Sequence, residues 1–281
     1  MANITAKMVG DLRKSTGSPM MDCKKALTEA NGDMDEAVKI LREKGMAKAA
    51  KRLGNETKEG RIFCKVSDDS KTTSMLQLTC ETEPVTNTEK FIEFGEKVSG
   101  LIFNDEAAKI ESEELVEELT EVRSKLGENI TVMNHTRLVG DKVAYYVHSN
   151  KKVGVVLDLE IEDKSKVAIE AINDLAKNLT LQIASLAPRS ISEDDLDPEF
   201  IKSELELIKS MLKEDPKNKN KPDNILEMIV QGRKGKILAD VCLLDQEYVK
   251  EKMSIKELID SVGKEVNTKI SVKKFVRYQI G

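Results

Sequence analysis

Beyond residue 60 the chain changes from helical to strand periodicity, and about eighty residues later it repeats the change. In RIFCKV, Ile62, Cys64 and Val66 fall on one face, and in SMLQLTCE, Leu76, Leu78 and Cys80 do the same. The two segments read as a hairpin around SDDSKTT. TEKFIEFGEKVSGLIF then places Phe91, Phe94, Val98 and Leu101 on one helical side. An acidic helix with Leu115, Leu119, Val122 and Leu126 follows, ends at Gly127, and leads into ENITVMNHTRL as a third strand. In the second copy, KVAYYVHS and KKVGVVLDLEIED form the hairpin, with Val153, Val155, Leu157, Leu159 and Ile161 in strict alternation. KSKVAIEAINDLAKNLTLQIASLAP is its amphipathic helix and ISVKKFVRYQI its third strand. The pattern predicts an α+β fold with a duplicated core, two three-stranded antiparallel sheet subdomains each covered on one face by helices. Subdomain 1 is expected over residues 55–140 and subdomain 2 over 141–281.

Residues 1–54 read as a three-helix bundle. Thr5 caps the first helix, Ile4 and Val9 staple it, and Gly17 supplies a left-handed exit. Pro19 or Asp22 starts the second helix and Asn31-Gly32 stops it. Asp33 and Glu36 form a capping pair for the third, whose Met34, Ala37, Val38 and Leu41 make one apolar face ending near Gly45. Met20, Met21, Cys23 and Leu27 are expected in the bundle core, whereas Lys24 and Lys25 do not suit a core. An insertion between the helix and third strand of the second copy, residues 197–238, carries Ile201, Leu205, Ile208 and Leu212, a turn dense in Asp, Pro, Asn and Lys, then Ile225, Leu226 and Ile229. It reads as a projecting antiparallel helical hairpin, either decoration or a partner contact.

Composition narrows the function classes. With 45 basic and 50 acidic residues, a net charge of -5 and only 4% aromatics, the chain is unlike a general nucleic-acid or membrane-surface binder. The four cysteines, Cys23, Cys64, Cys80 and Cys242, show no C-x-x-C pairing and have two histidines for company, so a reduced cytoplasmic protein without a zinc site is expected. No apolar run matches the roughly 20 residues of a membrane span, and MANITAKMVGDLRKS lacks the core of a signal peptide. No nucleophile-base arrangement, phosphate loop, dinucleotide fingerprint or metal-ligand spacing is visible. A bundle, a duplicated core and a hairpin without such chemistry point to a macromolecular contact protein with no catalytic residues, metal or cofactor of its own. A carboxylate pair such as Glu81 and Glu83 remains the one arrangement that composition leaves open to acid/base work.

The run TGSPMMDCKKAL, Thr16 to Leu27, resembles the T-G-x-x-M-M-D-C-K-K-A-L hallmark of the bacterial translation elongation factor Ts family, within a long ungapped match over ITAKMVGDLRKSTGSPMMDCKKALTEANGDMDEAVKILREKGMAKAAKR. The resemblance implies a bundle similar to ubiquitin-associated domains, a duplicated core, and a coiled-coil hairpin. It also implies the activity of a guanine-nucleotide exchange factor, which binds elongation factor Tu with GDP, promotes release of GDP and Mg²⁺, and is displaced by GTP. Lys24 stands where the family places a lysine at the partner interface. The family's T-D-F-V-A wedge aligns with Thr82, Glu83, Pro84, Val85 and Thr86, so an acid is kept while proline replaces an aromatic ring. The resemblance then implies a weaker wedge, with Val85 as a substitute and Phe91 reserved by its spacing for the core.

His148 falls on a histidine that some members place near the partner, and DQEYVKEK matches the segment after the hairpin, making Tyr248, Val249 and Lys250 further contact residues. Several relatives continue into another helix where this chain reads VRYQIG, so contacts made there are expected to be lost or replaced. The rival expectation is a ribosome- or RNA-associated protein without exchange activity, suggested by KGMAKAAKRLGNETKEGR and the hairpin tip DPKNKNKPD. In the stretch LTCETEPVTNTEKF itself, Thr86 or Thr88 can cap the helix that carries Phe91, and Pro84 stiffens the turn.

Overall fold

The computed structural model describes residues 4–105, 110–214 and 222–281. They form a mixed α+β protein with six strands in two three-stranded antiparallel sheets, and ten α-helices. The first sheet, β1 (Glu59–Val66), β2 (Thr72–Cys80) and β3 (Ile130–Val139), has β2 at its centre. The second, β4 (Lys142–Val147), β5 (Val153–Ile161) and β6 (Ile270–Gln279), has β5 at its centre. The repetition extends to an irregularity: β2 shifts register on β3 between Gln77 and Leu78, and β5 on β6 between Asp158 and Leu159. A bulge at the same point of both copies gives both sheets the same local bend and added twist.

Each sheet has one face on helices and the other on its twin. Leu76, Leu78 and Cys80 of β2 pack with Phe91, Phe94, Val98 and Ile102 of α5 (Glu89–Asn104), and with Leu115 and Val122 of α6 (Glu113–Leu126). Val155, Leu157, Leu159 and Ile161 pack on α7 (Glu170–Leu186) and α10 (Ile255–Glu265). Between the sheets, Ile62, Met75, Leu138, Val143, Val156 and Ile280 form a third apolar layer. The central strands are therefore buried on both sides, including their polar residues Thr73, Gln77, Thr79 and Asp158. Gln77 is satisfied there: its amide donates to the carbonyl of Gln279 at 3.1 Å, tying one sheet to the other, and its oxygen accepts from Asn134 at 2.8 Å.

Ser74, also buried in β2, has an unpartnered hydroxyl, and the larger exception is Asp158. It is buried against Gly140, its Oδ1 has no hydrogen-bond partner, and Lys273 stands 3.8 Å from Oδ2. Burial raises its carboxyl above the ordinary range, Lys273 opposes this, and Asp141 and Glu160 reinforce it. A carboxyl raised in the folded state keeps its proton where the unfolded chain has lost it, so stability declines as pH rises from the ordinary carboxylate range through the raised value. Asp158→Asn is expected to raise the melting temperature near pH 7 and to lose that advantage toward about pH 4, as thermal melts at both pH values would show.

Local signals explain most element boundaries. Thr5 accepts from the amide of Met8 at the start of α1 (Ala6–Thr16), and Gly17 closes it with φ 70°. Pro19 precedes α2 (Met20–Glu29), and Asp33 accepts from the amide of Glu36 at the start of α3 (Met34–Arg52). These three helices share a core of Val9, Leu12, Cys23, Ala26, Leu27, Ala37 and Leu41. The buried face of α3, expected to end near Gly45, continues one turn further to Ala49, because Gly45 lies directly against Ser124 of α6, and the helix ends at Arg52. On α5 the buried position is Ile102, while Leu101 is exposed. Two further helices, α8 (Pro198–Glu214) and α9 (Asp223–Val241), pack through Leu212, Leu226 and Val230. Residues 215–221, which hold most of the lysine-rich DPKNKNKPD, lie outside the described residues. Among the described residues no helix is long and apolar enough to cross a membrane.

Candidate functional site

The strand-to-helix junction after β2 carries the first group of predicted site residues. Thr82 precedes the single turn α4 (Glu83–Thr86), with Pro84 in its first turn, and Thr88 then caps α5 by accepting from the amide of Phe91 at 3.4 Å. Thr82, Glu83 and Pro84 are exposed and consecutive. Below them, Glu128 accepts from the Thr82 amide at 3.0 Å and from its hydroxyl. Val85 does not join the exposed group: at 9% exposure it belongs to the core with Phe91 and Phe94, so it anchors the turn rather than replacing an aromatic at its tip.

Glu81 and Glu83 point to different tasks. Glu83 faces outward, whereas the Glu81 carboxylate accepts from Arg52 at 3.0 Å, Asn55 at 2.9 Å and the backbone amide of Asn129 at 2.7 Å. Burial pushes the Glu81 carboxyl upward, but the hydrogen bonds from Asn129, Asn55 and Arg52 outweigh it and hold the group below the usual carboxylate range. The pair is thus no acid/base dyad. Burial also pushes the thiols of Cys80 and Cys64 up to about 12, so neither is an activated nucleophile.

The duplicated fold brings a second element to this junction. The β4–β5 turn follows His148, and its Lys151 carbonyl accepts from the amide of Ile62 in β1 at 2.8 Å. Lys152 pairs with Glu59 at 2.6 Å; that hydrogen bond raises the ammonium above its usual range, and Glu83 adds a smaller push in the same direction. Lys152 is therefore a cation of the second copy paired with a carboxylate of the first. Sequence reasoning missed it because the link runs between the two copies.

His148 itself is exposed, with Tyr146 Oη 2.8 Å from its Nδ1. It lines a cavity of about 390 Å³ together with Val249, Leu181 and Ala184, so two predicted residues about a hundred positions apart meet in one groove. The buried side chain of Gln182 organises the far wall, donating to the carbonyl of Glu247 at 3.1 Å and accepting from the amide of Val249 at 3.1 Å. Val249 is 54% exposed, and Lys250 reaches Asn178 at 2.8 Å. Tyr248 turns the other way, 5% exposed within the core of the second copy, where its ring supports the loop.

On α2, Lys24 is exposed, as are Met20 at 53% and Met21 at 63%. The expectation of core positions for the two methionines is corrected here: Cys23, Ala26 and Leu27 complete the inward stripe, and the methionines overhang at the first turn. The available signal was angular, since adjacent helical residues stand about 100° apart and two successive methionines cannot both face one narrow core. The result is an apolar and basic surface on one short helix.

Among the described residues no group of three or more His, Cys, Asp or Glu is placed to hold a metal ion. The features that stand out are surfaces: the α2 face, the tip at residues 82–84, and the groove between His148 and Val249. All three lie on the duplicated scaffold or on the bundle that precedes it. A family model described as elongation factor TS matches residues 81–281. A protein named elongation factor Ts from Clostridium perfringens (strain SM101 / Type A) is 40% identical, with 99% of this chain and 93% of the relative covered. Proteins of the same name from Lawsonia intracellularis (strain PHE/MN1-00) and Clostridioides difficile (strain 630) are each 38% identical. They cover 99% and 100% of this chain and 99% and 94% of their own lengths. The chain belongs to the elongation factor Ts family.

Proposed function

We propose that the protein is a guanine-nucleotide exchange factor for elongation factor Tu, releasing GDP and Mg²⁺ by non-covalent contact and leaving when GTP binds. The observation that carries this reading is the exposed tip Thr82–Glu83–Pro84, built on an anchored strand-to-helix turn within a chain of this family. A factor that binds the nucleotide-free partner better than the GDP complex must weaken GDP by the same ratio, and it needs no cofactor to do so. In this reading Glu83 presents negative charge beside the partner's magnesium site, Pro84 stiffens the turn, and Val85 holds it from below. Residues 1–54, similar to a ubiquitin-associated domain, dock through Met20, Met21 and Lys24 on the nucleotide-binding domain. Subdomain 1 (residues 55–140) supplies the tip. Subdomain 2 (residues 141–281) supplies His148, Val249 and Lys250, with Tyr248 as their support and the hairpin, residues 197–238, as a projecting arm. The factor itself holds no nucleotide and acts in the cytoplasm.

The RNA-associated alternative loses its main support on α3. Lys44, Lys48 and Arg52 are paired with Glu29, Asp22 and Glu81, so this basic segment is largely neutralised within the protein. The test is release of a fluorescent GDP analogue from elongation factor Tu. Acceleration at micromolar concentration is expected, and no acceleration together with salt-dependent RNA binding would favour the alternative. Glu83→Ala/Pro84→Ala is expected to slow release by about tenfold, because the loss of one charge and one small ring removes only part of a contact hot spot.

A further inference from the structure

The carboxylate next to the tip carries more than a local turn. Lys44, Lys48 and Arg52 stand at four-residue spacing on α3. Lys44 pairs with Glu29, and Lys48 with Asp22 at 2.9 Å, both carboxylates being on α2. Arg52 instead leaves the bundle and pairs with Glu81, the residue immediately before the tip. Asn129 completes this junction: its backbone donates to Glu81, while its side chain donates to the carbonyls of Leu53 at 3.3 Å and Asn55 at 2.9 Å. The end of α3, the linker after it, the end of β2 and the approach to β3 therefore converge on one carboxylate and one carboxamide. Higher on α3, Gly45 sits against Ser124 with no room for a β-carbon. The helix is held at two levels, which removes rotation about a single contact.

We propose that Glu81 is a positioning residue for nucleotide exchange, holding the exposed face of α2 and the Thr82–Glu83–Pro84 tip in one rigid body so that docking of the first delivers the second. The proposal rests on the exchange-factor reading. Two binding surfaces joined rigidly in the correct geometry avoid the cost of ordering a hinge during association, and the second contact forms as an intramolecular event. Lys24 and Glu81 belong to separate elements, yet substitutions at both should couple if α3 transmits the placement.

The experiment is a double-mutant cycle on the full chain, read as acceleration of fluorescent GDP-analogue release from elongation factor Tu. Glu81→Ala is expected to lower kcat/KM by about tenfold and to shrink the Lys24→Ala effect to less than about twofold, whereas Glu81→Gln, which retains an acceptor, restores most of the rate. A second readout uses the free protein: trypsin cleavage after Lys51, Arg52 and Lys58 is expected to accelerate about tenfold in Glu81→Ala, because the linker is released from its partners. If the unmodified protein leaves GDP release unaccelerated, the exchange reading fails. If it accelerates release but the Lys24 and Glu81 effects multiply independently, or linker cleavage keeps its original rate, the positioning role alone is overturned.

Discussion

Met20→Ala/Met21→Ala is expected to raise the concentration giving half-maximal GDP release by about 50-fold while shifting the melting temperature by less than about 2 °C. Both side chains are more than half exposed, and the bundle core is complete without them. Their removal therefore opens no cavity, and alanine suits a helix at least as well as methionine. What it removes is apolar surface available for burial at a partner. A methionine buried from this starting point contributes about 1–1.5 kcal/mol, so two supply the expected change in affinity. In the proposed interface the exposed Lys24 on the same helix supplies positive charge, which acts more on the rate of encounter. The measurement is stopped-flow release over a range of factor concentrations, with circular dichroism melts alongside. An unchanged half-saturation point would remove the α2 face from the interface.

That surface shows where sequence reading stopped short. Helix caps at Thr5, Asp33 and Thr88 were readable because each acts within three residues of itself. The repeated hairpins and late third strands were readable because period two survives in both copies. The contact between sheets was not, because its layer contains Thr73, Gln77, Thr79 and Asp158 where a buried face should read apolar. Gln77 is acceptable there because of the Gln279 carbonyl, which lies in another strand. The candidate site divided in the same way. Exposure at Glu83 and Pro84 followed from local polarity, and the core position of Phe91 followed from spacing. Glu81 and Glu83 looked alike in sequence, and only the arrival of Arg52, Asn55 and Asn129 separates a structural carboxylate from an exposed one. Val85 and Tyr248 were placed at a surface by alignment with a motif, and the backbone turns both inward.

Gly154→Val is expected to lower the melting temperature by about 10 °C and to impair every contact function together. Gly154 lies in β5 on the face turned toward the first sheet, where a β-carbon would stand 2.5 Å from Cγ2 of Ile62 and 2.8 Å from Sδ of Met75. Met75 can yield through its flexible chain, but Ile62 is β-branched, 2% exposed and held within β1, so it cannot rotate away. Valine adds a β-carbon bearing two methyl groups to a site that cannot take the β-carbon alone, and relief requires the sheets to separate. Overpacking of this kind costs about 3 kcal/mol, and each kcal/mol shifts a chain of this size by roughly 2–4 °C. The strain has a specific remedy: Ile62→Ala removes the opposing methyl groups, so the double variant should recover more than half of the lost stability. Recovery would show that the sheet-to-sheet layer sets the relation between the tip on one copy and the His148 groove on the other. Additive destabilisation would instead place the damage within β5 itself, leaving the two surfaces independent of how the sheets meet.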